Sequence, residues 1–111
     1  MKNFVVIYYA PTSFIEQMKH ASPEEMQKGM EQWMEWAGKC GDVLVDFGTP
    51  LADGQKLSKS GSSPSDKNVA DYSILQAEDM QGAKALLEGH PHLKWAAGCP
   101  LEVYESMSRQ T

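Results

Sequence analysis

Six consecutive apolar or aromatic residues, Phe4-Val5-Val6-Ile7-Tyr8-Tyr9, stand close to the start of the chain. A strand with one wet face alternates apolar and polar residues, and this run does not. A strand that is apolar on both sides needs cover on both sides. The rest of the sequence offers helices for only one of them. The other face is therefore expected to pack on a second copy of the chain, as a homodimer.

Size and charge narrow the class further. The 111 residues are expected to form one domain over 1–111, with enough apolar content, 41%, for a core of its own. The net charge is −5 and Arg109 is the sole arginine. A nucleic-acid surface needs clustered cations to displace phosphate counterions, so no nucleic acid is expected as a partner, and no membrane surface. No apolar run is long enough to span a bilayer. The first residues lack the basic start and long apolar centre of a secretory leader, so a cytoplasmic location is expected. Cys40 and Cys99 form no C-x-x-C pair and are read as small, reduced, apolar side chains.

The first strand covers about Asn3 to Ala10 and stops at Pro11. A connector, Thr12 to Ala21, carries Phe14, Ile15 and Met18 and is read as a short helical turn. Ser22-Pro23-Glu24-Glu25 then combines an N-cap serine, a proline at the first helical position and a glutamate at N3, a capping box. Met26, Met30, Trp33, Ala37 and Cys40 follow at helical spacing with Met34 beside them, which predicts their burial as core. Trp36 falls off that stripe. Gly41 ends the helix. A second strand is predicted over Asp42 to Gly48, with Val43, Val45 and Phe47 on one side and Leu44 and Asp46 on the other. Gly, Ser, Asp and Lys dominate Leu51 to Lys67; Gln55 to Ser58 suggests a small hairpin arm, and Ser58 to Asp66 is expected to be the most flexible part of the molecule. The third strand is Val69 to Ala77. Asp79 caps a second helix bearing Met80, Ala83, Leu86 and Leu87, closed by Gly89. Pro91 starts a further turn. Gly98 and Pro100 lead into a last strand, Leu101 to Met107.

The order β-α-β-β-α-β predicts an α+β, ferredoxin-like βαββαβ sandwich with both helices on one face of an antiparallel sheet. The bare face would hold Leu44, Asp46, Glu102, Tyr104 and one side of the first strand. Two such faces closing together would leave a semi-polar cavity suited to a small molecule.

Particular residues add a resemblance. Phe4 to Tyr9, Ser22-Pro23-Glu24-Glu25-Met26, Trp33-Met34-Glu35-Trp36-Ala37 and Gly48-Thr49-Pro50-Leu51 resemble the YCII-related (DGPF-domain) proteins. So do Tyr72 to Glu78, Ala83 to Leu87, Gly89-His90-Pro91-His92-Leu93 and Glu102-Val103. The resemblance spans nearly the whole chain and implies a dimeric α+β barrel. It also implies either of two functions: hydrolase- or lyase-like chemistry at a His–Asp site, or a role beside extracytoplasmic-function sigma factors. By this resemblance His20 would pair with Asp46 or Asp53. The Asp-Gly-Pro-Phe signature is absent; its nearest match is Asp53-Gly54, followed by Gln55-Lys56.

The residues themselves single out His90 and His92, two imidazoles in one tight turn. Histidine titrates near neutral pH and can act as acid, base or ligand. A carboxylate on a partly desolvated face, Asp46 or Glu102, would gain basicity there. Tyr8, Tyr9 and Tyr104 could orient a ligand through their hydroxyls. The expected catalytic set is His90, His92 and Asp46, working on a small molecule with no cofactor. Set against it are a satisfied polar network around the carboxylates and, for the histidines, one that caps a helix or bonds a backbone carbonyl and another that is solvent-exposed. His90, His92 and Cys99 match no known metal-ligand spacing, and no metal is expected. The alternative to an enzyme is a non-enzymatic ligand-binding or protein-interaction module, linked by the resemblance to sigma-factor regulation.

Overall fold

A computed structural model describes residues 1–95 and 99–107. Gly98 and Arg109 lie outside the described residues. The chain folds as a compact α+β unit. Its elements are β1 (Lys2–Tyr9), α1 (Thr12–Lys19), α2 (Pro23–Cys40), a 3-10 turn (Gly41–Val43) and β2 (Leu44–Asp46). Then come β3 (Gln55–Ser58), β4 (Gly61–Pro64), β5 (Val69–Ala77), α3 (Met80–Leu87), α4 (Pro91–Trp95) and β6 (Leu101–Glu105). Four strands form one sheet in the order β2-β5-β1-β6, every neighbouring pair antiparallel. β3 and β4 make a separate hairpin, and its second strand falls within Ser58 to Asp66. All eight hairpin residues are exposed, and Leu57 is 81% exposed.

The strand register sorts side chains between two faces. Phe4 lies opposite Leu75, Val6 opposite Ser73 and Tyr8 opposite Asp71; these point toward the helices. Phe4, Val6, Tyr8 and Leu75 are fully buried there and meet Trp36, Cys40, Ala83 and Leu87. Each aliphatic or phenyl side chain so buried contributes about 1.5–3 kcal/mol. Val5, Ile7 and Tyr9 alternate to the other face, which carries no helix, and are half-buried. Ile74 and Tyr72 of β5 and Tyr104 and Glu102 of β6 lie opposite Val5 and Ile7 on that face.

Two local readings are corrected. The first concerns β2, which is shorter than Asp42 to Gly48 and contains a bulge between Leu44 and Asp46. A bulge breaks the alternation of side chains. Leu44 therefore pairs with Leu75 and packs on the core with Val43 and Phe47, while Val45 is 53% exposed. Asp46 pairs with Ile74 and stays on the bare face as expected.

The second concerns α2. The serine half of the capping box forms as predicted: the Ser22 Oγ accepts from the Glu25 amide at 3.2 Å. The Glu25 carboxylate accepts from the Ser22 hydroxyl at 3.1 Å. The methionine stripe, however, is not core. Met26, Met30 and Met34 are all exposed, and the buried residues are Trp36 and Cys40, with Trp33 and Ala37 packed beside them. The reason is the indole of Trp36, whose N–H needs an acceptor once buried. It donates to the Leu86 carbonyl at 2.9 Å. That bond fixes the last two turns of α2 on the core, and the first half of the helix overhangs.

Candidate functional site in the helix-side cavity

The overhang leaves a cavity of about 680 Å³ on the helix side of the sheet. Met26, Met30 and Trp33 form its roof, Ala70 and Asp71 its floor, and His92 and Trp95 one wall. Phe47, Gly48 and Pro50 form the opposite wall. This wall depends on one glycine. Gly48 has φ of 86°, and a Cβ there would lie 1.6 Å from the Tyr72 carbonyl oxygen. Only a residue without a side chain lets the chain close against β5 beside Asp71.

Asp71 is the ionisable group on the cavity floor. Its Oδ1 accepts from the Tyr72 amide at 2.7 Å. Among the described residues it has no ion pair. Burial pushes its carboxyl up to about 6, against the smaller opposing effect of that amide. The group is thus poised to hold or release a proton near neutral pH. The sequence reading missed it. The available signal was parity: Asp71 shares a strand face with Ser73, Leu75 and Ala77, so placing Leu75 inside places Asp71 inside as well.

The two histidines sit side by side but differ in role. His90 is fully buried, with ring centroids of Trp36, Trp33 and Tyr8 at 4.3, 4.6 and 4.9 Å. Its Nδ1 accepts from the His92 amide at 3.0 Å, and its Nε2 has no hydrogen-bond partner among the described residues. Burial, with His92 adding to it, pushes its pKa down to about 3. His90 is thus neutral near physiological pH and acts as an aromatic core residue. His92 lines the cavity. Its Nε2–H donates to the Tyr9 carbonyl at 2.7 Å, which fixes the tautomer. Burial lowers its pKa, and hydrogen bonds to the Tyr9 and Pro100 carbonyls act the other way.

Asp46 does not join them. It lies on the bare face, where its carboxylate accepts from the Gly48 amide at 2.9 Å and from the Tyr72 hydroxyl at 3.2 Å. The expected catalytic set of His90, His92 and Asp46 is therefore split across the sheet. Tyr8 is sealed in the core, donating to Ser73 Oγ at 3.1 Å; Ser73 in turn donates to the Phe47 carbonyl at 2.8 Å. Tyr9, Tyr104 and Glu102 do come together, on the bare face. Both phenols donate to Glu102 Oε1 at 2.7 Å. These bonds hold the Glu102 carboxyl below its usual range, raise Tyr104 and push Tyr9 up to about 12. His20 is exposed at the end of α1, and Asp53 is paired with Lys19 at 2.6 Å instead of with His20.

Among the described residues, His90, His92 and Cys99 included, no three potential ligands are grouped to hold a metal. Among the same residues no helix is long and apolar enough to cross a membrane. A smaller cavity of about 460 Å³ lies between α2 and α3. Glu35, Lys39, Glu88 and Lys94 dominate its rim, and it does not reach Asp71. Comparison of the chain with family models, with curated proteins and with solved structures returns no match.

Proposed function

We propose that the protein is a cofactor-independent enzyme that binds a small molecule in the helix-side cavity and moves a proton with Asp71. The observation that supports this reading most is the carboxyl of Asp71, half-buried on the floor of a mainly apolar cavity and titrating near 6. Such a group is strong enough as a base and weak enough as an acid to work in both directions. His92 would serve as a neutral hydrogen-bonding wall, held by Tyr9 and Pro100.

The strand order β2-β5-β1-β6 and the packing of α2 and α3 on one face favour the ferredoxin-like arrangement, and with it the YCII-related family. In the same reading a second copy covers Val5, Ile7 and Tyr104 and closes a dimeric barrel. A second function, a protein-interaction module, is favoured by one observation: Met26, Met30 and Met34 stand exposed along one flank of α2.

A thermal-shift screen of small molecules against the wild type and Asp71→Asn tests the main reading. Compounds that stabilise the wild type are expected to be turned over by it, and not by Asp71→Asn. Turnover undiminished in Asp71→Asn would overturn the assignment.

A further inference from the structure

We propose that the molecule taken by this cavity is an apolar amine, bound as its ammonium ion against Asp71. The inference rests on the cavity being the functional site and names the class of ligand; with the ammonium bound, Asp71 stays ionised and serves as anchor or base, not as acid. Three observations converge. First, Asp71 is a half-buried carboxylate on the cavity floor and forms no ion pair among the described residues. A buried charge is stabilised by an opposite charge, and here a ligand can supply it. Second, the surrounding walls suit a cation with an apolar body. Trp33, Trp95 and Phe47 present aromatic rings, whose faces attract ammonium groups, and Met26 and Met30 add polarizable thioethers. Third, the other full charges on the lining, Glu25 and Lys94, are opposite in sign and both exposed, whereas Asp71 is half-buried. Asp71 therefore sets the sign of charge felt in the interior.

The competing ligand classes fit less well. An anion would bring a second negative charge against Asp71. A neutral apolar molecule would fill the space and remove more water from the carboxylate without answering its charge, which costs free energy.

Isothermal titration of the full chain near neutral pH with three matched probes tests the proposal: phenethylammonium, phenethyl alcohol and phenylpropionate. The ammonium ion is expected to bind about tenfold or more tightly than the alcohol, and phenylpropionate the most weakly. In Asp71→Asn the ammonium ion should fall to the affinity of the alcohol, while the alcohol keeps its own, which also shows the variant is folded. Equal binding of ammonium and alcohol to the wild type would overturn the ligand class and leave the cavity standing. So would tightest binding of phenylpropionate, or an ammonium preference that survives in Asp71→Asn. Failure of all three probes to bind at millimolar concentration would sink both the ligand class and the cavity as the site.

Discussion

On the helix side of the sheet, Asp71 sits across the strand from Tyr8, whose hydroxyl goes to Ser73. On the bare side, Glu102 takes hydrogen bonds from Tyr9 and Tyr104 within reach of solvent. Both faces thus set a carboxylate among tyrosines, yet the two acids shift in opposite directions. Burial dominates at Asp71 and drives its pKa up. Hydrogen bonds to the charged form dominate at Glu102 and drive its pKa down. Residue type alone does not make a reactive acid; the balance of lost water against gained donors does. By that measure the helix side holds the reactive group and the bare side a satisfied network.

The contrast can be broken most forcefully at the tryptophan that creates the cavity. Trp36→Ala removes a buried ring and its bond to Leu86, and is expected to cost about 3–5 kcal/mol in denaturant unfolding. A loss too small to resolve would mean that α2 is held in some other way. Next is acid stability, where the effect is on the order of a few kcal/mol. His90 has its folded pKa lowered from 6.5 to about 3, so its contribution is complete above 6.5 and is lost as pH falls through that window. Asp71 has the opposite sign. Its folded pKa is raised from 3.8 to about 6, so folding gains stability as pH falls from 6 toward 3.8. Asp71→Asn should therefore lose stability more steeply than the wild type over that interval. Parallel curves would show that Asp71 carries no desolvation burden.

Smaller effects sharpen the comparison. Gly48→Ala places a Cβ against the Tyr72 carbonyl at positive φ and should cost about 2 kcal/mol or more. A melt matching the wild type would disprove the tight closure beside Asp71. Last come the paired tyrosines. Tyr8→Phe leaves Ser73 without its buried donor and is expected to cost about 1 kcal/mol. Tyr104→Phe, on a side chain 52% exposed, should stay within about 0.5 kcal/mol in dilute protein. Equal costs would erase the distinction between the two faces.

Much of the fold is legible in local chemistry. Ser22 and Asp79 cap helices where their spacing says they should, with Asp79 accepting from the Gly82 amide at 2.9 Å. Strand parity in β1, β5 and β6 follows from alternation, so the placing of Glu102 and Tyr104 on the bare face is readable as well. What fails is whatever needs a long-range partner. The side of α2 that is buried depends on a carbonyl 50 residues away, which no helical stripe reveals. The bulge in β2 reverses Leu44 and Val45 because two residues there meet one on β5. The site suffered from the same limit. His90 and His92 stand out as chemistry in the sequence, but their ring environment is tertiary, and it closes His90 away among Tyr8, Trp33 and Trp36. Asp71 drew no notice because a lone carboxylate in a strand reads as a solvated one.

The overhang of α2 has a consequence for selectivity. Met26 and Met30 of the roof over Asp71 stand on the exposed first half of the helix, Trp33 ties the roof to Tyr8, and the floor belongs to the central strands. At its methionine edge such a pocket can widen or narrow while the packed layer beneath Trp33 stays in place. It would be a poor judge of a guest's girth and a strict judge of its charge, so unrelated skeletons that carry the same polar group should compete for it.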